Sequence, residues 1–180
     1  MTQLTAVGMY HRDHFSRGNA RKTFGYAAFH WGIILMPESD PHGNQPYHSF
    51  DATDATELDP VTFRITNPTM DWWFRVREQV DSAAPSKLIG RIIIGKVPDG
   101  VSSTDVKEYL KMVPLPVKNT HPQQSCVTWA ADAISALQKQ GWAEKFDVGQ
   151  FQDEALAYGD ERIKGEESEA PSVKNHQTYA

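Results

Sequence analysis

The stretch from Phe24 to Met36, FGYAAFHWGIILM, constrains the fold more than any other part of the chain, because it is apolar at both odd and even positions. A strand with one wet face alternates apolar and polar residues, whereas a strand covered on both faces does not. The run is also too short to cross a membrane, which takes about 20 apolar residues. It is bounded by residues 37–46, where three prolines and a glycine read as a loop. The segment is therefore expected to be a central strand, paired across that loop with a short strand, YHSFDAT, at 47–53. His30 is its one strongly polar residue.

Branched and aromatic residues recur in VTFRI (61–65), DWWFRV (71–76) and KLIGRIIIGKV (87–97), with Pro68 and Pro85 between them, so three further strands are expected. The pattern then turns helical. Ser102 followed by Asp105 has the spacing of a capping box and opens a helix to about Met112. Residues 113–124 hold three prolines and read as irregular. Ser125 is a good N-cap for the helix CVTWAADAISALQKQ, which Gly141 ends, and a last helix is expected over about 150–164. Strands first and helices afterwards predict an α+β fold, an antiparallel sheet packed against a central Cys-bearing helix. Residues 1–23 read as a polar N-terminal arm, 24–164 as a single domain, and 165–180, charged and polar, as a disordered tail.

Charge narrows the function. The chain has 18 Lys and Arg against 23 Asp and Glu, a net charge of −5, whereas binding to a phosphate backbone needs clustered cations. The nearest cluster is Arg12, Arg17, Arg21 and Lys22, which reads as a solvated flank. No nucleic-acid partner is expected. Nor is a membrane, since no run has signal-peptide or transmembrane character, and cytosol or nucleus is the expected compartment. A single cysteine makes no internal disulfide and no cysteine-pair zinc site. His11-x-x-His14 has only Asp13 as a nearby carboxylate, so no metal is expected, and no nucleotide fingerprint or other cofactor signal is present.

Cys126 is where chemistry enters. Cys126, Trp129, Ala130, Ala133, Ile134 and Leu137 form one stripe at helical period, so Cys126 faces the sheet. Free cysteine often packs as a small hydrophobe, and one reading makes Cys126 a core residue of a binding or accessory module. The other uses its place in the first helical turn, where the helix N-terminus stabilises a thiolate. A nucleophile also needs a base within reach, and His30, standing on the sheet beneath the helix, would be that base.

FHWGIILMP followed by YHSF, and much later SCVTWAADAI, resembles the circularly permuted papain-like fold of the NlpC/P60 superfamily. Its lecithin-retinol-acyltransferase-like and PPPDE-like branches place a histidine strand before the cysteine helix. Over roughly residues 24–160 the chain is also similar to a family of small, functionally uncharacterised fungal proteins. The permuted papain resemblance implies a cysteine-dependent hydrolase or acyltransferase acting on an amide, isopeptide or (thio)ester. Cys126 would be the nucleophile, His30 the general base and His48 the residue that orients it. The Cys126 N–H, with Gln123 or Gln124, would hold the oxyanion, and Trp31 and Trp129 would line a substrate groove. The chain ends in a polar segment rather than an apolar anchor, so a soluble small-molecule or peptide substrate is expected.

Strand register decides the third member. Pairing the two strands about the 37–46 loop sets residue 30 opposite 52 or 53. With an even register sum His48 shares the face of His30. With an odd sum Asp51 and Thr53 share it, and His48 points to the other face. Asp51 therefore competes with His48 for the orienting role.

Overall fold

The structure, a computed structural model, describes residues 2–176. In chain order it contains β1 (Gln3–His11), α1 (Gly18–Phe24), β2 (Phe29–Pro37), β3 (Tyr47–Thr53), β4 (Glu57–Leu58) and β5 (Ile65–Thr66). There follow β6 (Trp73–Val80), β7 (Leu88–Val97), α2 (Ser103–Leu110), α3 (Cys126–Gln140), α4 (Val148–Arg162) and β8 (Val173–Asn175). Six strands form one sheet in the order β6-β3-β2-β1-β7-β8, and β4 and β5 pair separately as a hairpin. Neighbours in the large sheet are antiparallel except β7 and β8, which run parallel, so this α+β fold has a mixed sheet.

β2 is central, as its two-sided apolarity requires, and alternation divides its residues. Phe29, Trp31, Ile33 and Leu35 belong to the main core, together with Trp129, Ala130, Ala133, Ile134 and Leu137 of α3 and Phe151 of α4. Ile34 and Met36 point the other way, into a smaller cluster with Ala6 and Tyr47. The helices thus cover one face of the sheet. The predicted capping box forms at Ser102, the predicted N-cap Ser125 forms a second box with Thr128, and Gly141 closes α3 in the left-handed conformation. Among the described residues no helix is long and apolar enough to cross a membrane.

Four expectations are corrected. Residues 1–23 are not an arm: β1 lies between β2 and β7, and its Ala6, Val7 and Met9 are fully buried. Gly8 weakens the strand signal of β1, and it packs closely there: a Cβ at that position would come within 2.8 Å of Ile34 Cδ1 and 3.0 Å of Tyr10 Cε2, so those side chains would have to shift. The segment 165–180 is not a disordered tail as far as Asn175: β8 pairs with β7, and the Tyr158 hydroxyl donates to the Pro171 carbonyl at 2.7 Å. An open β7 edge offers backbone partners that side-chain propensity does not report. The last part of that tail, 177–180, lies outside the described residues.

Of residues 61–65, only Ile65 is in a strand, the two-residue β5, and 61–64 are turn and irregular. The Asp59 carboxylate accepts the N–H groups of Val61 and Thr62, at 2.8 and 3.1 Å, and this side-chain turn outcompetes β propensity. The strand expected from Phe24 begins at Phe29, because Gly25 takes a left-handed φ of 57° and starts a 3-10 turn.

Removing residues 2–11 deletes a strand with neighbours on both sides. The truncated chain is expected to lose cooperative unfolding by far-UV circular dichroism in a urea titration. A sharp transition near that of the full chain would mean the strand is dispensable.

Candidate active site

The first turn of α3 is built by its cap. The Ser125 side chain accepts from the backbone of Val127 and Thr128, and the Thr128 hydroxyl accepts the Ser125 N–H. The Cys126 N–H is left with no protein acceptor among the described residues, at the positive end of a 15-residue helix. Cys126 is only 4 % exposed, yet it stands outside the apolar core cluster that takes up the rest of its stripe.

His30 is the second residue of β2 and lies directly opposite Tyr10, their rings meeting edge to face at 5.5 Å. Alternation puts it on the face opposite Trp31, away from the packed side of α3. The base is thus not beneath the helix, as the sequence reading has it. Cys126, the first residue of α3, and His30, near the start of β2, line the wall of one cavity, close enough for the charge of each to act on the other.

Register selects the third residue. The pairs Ile33–Phe50, Ile34–Ser49 and Leu35–His48 give an odd sum. Asp51 therefore shares the face of His30, and its Oδ2 lies 2.6 Å from His30 Nε2, leaving Nδ1 as the ring nitrogen available to the thiol. Gly32 makes room for this diagonal contact: a Cβ there would lie 3.2 Å from Asp51 Cβ. His48 faces the other way, where its ring nitrogens lie 3.4 Å from the backbone N and side-chain amide of Gln79. Of the two candidates for the orienting role, Asp51 is the one that lies against His30, and His48 is not.

Arg75, directly across from Asp51 on β6, completes the row. It donates from Nε to Asp51 Oδ1 at 3.0 Å and from Nη2 to Oδ2 at 2.6 Å. Burial alone would push the Asp51 carboxyl up, but the hydrogen bonds and charges of His30 and Arg75 hold it below its ordinary range. Burial would likewise lower the His30 imidazolium pKa. The Cys126 thiolate and the Asp51 carboxylate outweigh burial and raise it to about 9. Cys126 responds in the opposite sense. Burial would raise its thiol, and the His30 imidazolium, the Trp31 backbone N–H and the Arg12 charge bring it down. Each group's charge thus favours the charged form of the other.

A cavity of about 250 Å³ opens onto this pair, with Cys126, His30, Ser125, Gln123 and Trp72 in its walls. Gln123 thus lines the same cavity as Cys126. Gln124 is not, since its Oε1 accepts the Val117 N–H at 2.8 Å and its backbone N–H bonds Thr120. Trp31 and Trp129, expected to line a groove, are both fully buried in the core, and Trp72 supplies the aromatic wall instead. Arg12, Tyr10 and Arg75 escape the sequence reading. The alternation of Arg75 and Arg77 along β6 was the one available signal, and it has meaning only once β6 is paired with β3. Among the described residues no group of three or more His, Cys, Asp or Glu is placed to hold a metal ion.

Comparison with known proteins adds a family and no activity. No curated protein and no solved structure matches the chain. One family model matches residues 5–174, from within β1 to within β8, so both flanking strands are part of the shared unit. The chain belongs to the DUF6914 family, a family of unknown function.

Proposed function

We propose that this protein is a cysteine-dependent hydrolase or acyltransferase that works through Cys126, His30 and Asp51 on a permuted papain-like scaffold. The observation that carries this reading is a buried thiol that shares a cavity with a histidine held by a buried carboxylate. A histidine or cysteine used only for packing needs no such partner chain.

The chemistry follows from the protonation states. The Cys126 thiolate attacks the carbonyl carbon of an amide, isopeptide or (thio)ester, forming a C–S bond and a tetrahedral oxyanion. The oxyanion is held by the Cys126 N–H and by Gln123. Collapse breaks the bond to the leaving group, which takes its proton from His30 Nδ1, and a thioester remains on Cys126. Water or another nucleophile then attacks as His30 removes its proton, the C–S bond breaks, and the thiolate returns. Asp51 keeps the imidazole in one orientation and stabilises its cation throughout. A nucleophilic thiol that must stay reduced fits the cytosol or nucleus, and a soluble amide, isopeptide or thioester substrate fits a site built on the sheet face.

A second reading rests on the 4 % exposure of Cys126: a non-catalytic papain-like binding or accessory module in which the thiol is sealed. Alkylation separates the two. Cys126 is expected to react with iodoacetamide between pH 6 and 7, well below the ordinary thiol pKa of about 8.5. In His30→Ala the onset is expected to move above that value, because burial persists and the imidazolium is gone. A native protein that labels only after denaturation would sink the catalytic reading.

The same labelling profile assigns the third residue. Asp51→Asn removes a charge that raises the His30 pKa, so the imidazolium weakens and the alkylation onset moves toward alkaline pH. His48→Ala is expected to leave the onset within about 0.3 units of the unaltered protein, since it sits on the other face. The reverse pattern would restore His48 to the site.

A further inference from the structure

A second cavity, of about 410 Å³, lies on the other side of His30. It shares Arg12, His30, Thr53 and Asp54 with the cavity that holds Cys126, so the two flank one imidazole. Its walls are rich in cations although the chain as a whole carries −5. Arg12, Arg75, Arg77 and Lys87 all face it.

Two of the four are already neutralised. Arg75 is held by Asp51, and Lys87 lies 2.5 Å from Asp13. The other two have no carboxylate among the described residues. Arg12 donates from Nη1 to the Ala27 carbonyl and lies 4.9 Å from the Phe15 ring centre, a setting that fixes the guanidinium without cancelling its charge. Arg77 projects from β6 opposite Ser49, exposed and without an ion pair among the described residues. Asp54, exposed at the junction of the cavities, has no cation partner among the described residues. Two unpaired guanidiniums in one concavity recognise planar, multiply accepting anions.

We propose that this cavity is an anion subsite, and that the substrate carries a carboxylate or phosphate group which Arg12 and Arg77 hold while its acyl carbon lies at Cys126. The assignment rests on the catalytic reading for the second half of that statement and on the cavity alone for the first. Arg12 serves both sides, since its charge also favours the thiolate. A substrate anion placed there reads as an address beside the reacting bond, and neutral acyl compounds are selected against.

The test uses the full chain and iodoacetamides whose nitrogen bears an alkyl tether of increasing length, ending either in a carboxylate or in its methyl ester. Alkylation of Cys126 forms the S–C bond and releases iodide, so each ester is an internal control for access to the thiol. At one tether length the acid is expected to react about tenfold faster than its ester, as a charge-assisted contact allows. In Arg77→Gln that ratio is expected to fall to within about twofold of unity. Equal rates for acid and ester at every length would overturn the subsite while leaving the nucleophile intact.

If plain iodoacetamide fails to label the native protein, the nucleophile fails instead, and the subsite is then judged by binding alone. Titration with inorganic phosphate and with glutarate is expected to shift the Arg12 and Arg77 Nε–Hε resonances saturably, and to lose that response in Arg77→Gln. The anion that saturates at lower concentration names the preferred group, and unmoved resonances with both anions would refute the proposal.

Discussion

The carboxylate of Asp51 is the point on which the site depends. It is buried, and a buried carboxylate without partners is costly enough that it would protonate instead. Two cations keep it ionised: Arg75 from the neighbouring strand, in a two-bond fork, and His30 from the strand on its other side. Each partner is fixed in return. Asp51 Oδ2 receives both an Arg75 and a His30 contact at 2.6 Å, so the imidazole cannot swing without leaving part of a buried charge unmet. The imidazole that shares a cavity with Cys126 is thereby fixed by a residue outside that cavity's walls. A row that runs Tyr10, His30, Asp51, Arg75 across four strands turns sheet register directly into side-chain chemistry.

That dependence explains what could be read from the chain and what could not. The helix bearing Cys126 was legible to its end residues, because capping and period are local properties: Ser125, the apolar stripe and Gly141 all lie within one turn of what they specify. The pairing of 29–37 with 47–53 was legible in kind, because two-sided apolarity and a proline-rich loop leave few alternatives. Register was legible only as a parity choice, and that choice was the whole difference between His48 and Asp51. Arg75 could not be found at all, since the β3–β6 register depends on the loop 54–72, which carries its own hairpin and a turn set by Asp59. β1 and β8 were missed for a related reason. In β1 the apolar residues are interrupted by Thr5 and Gly8, and β8 has only three residues, so in both the strand state leans on backbone partners supplied by β2 and β7.

Burial of Cys126 does not by itself argue for packing. The two faces of the sheet carry different tasks, the helix face holding the core and the opposite face holding Tyr10, His30, Asp51 and Arg75. A residue that served only the core would sit among Trp129, Ala130 and Ala133, as the remainder of its stripe does. Cys126 instead, at the first position of the helix, lines a cavity that it shares with His30. There the same low exposure that hides the thiol from bulk water strengthens its attraction to the imidazolium, because charges separated from solvent interact more strongly. A thiol in that place is screened from water and reached through a cavity whose other side is lined with unpaired guanidiniums. Exclusion of solvent and a directed approach are both required of a nucleophile that must meet an acyl carbon before it meets water, and helix packing requires neither.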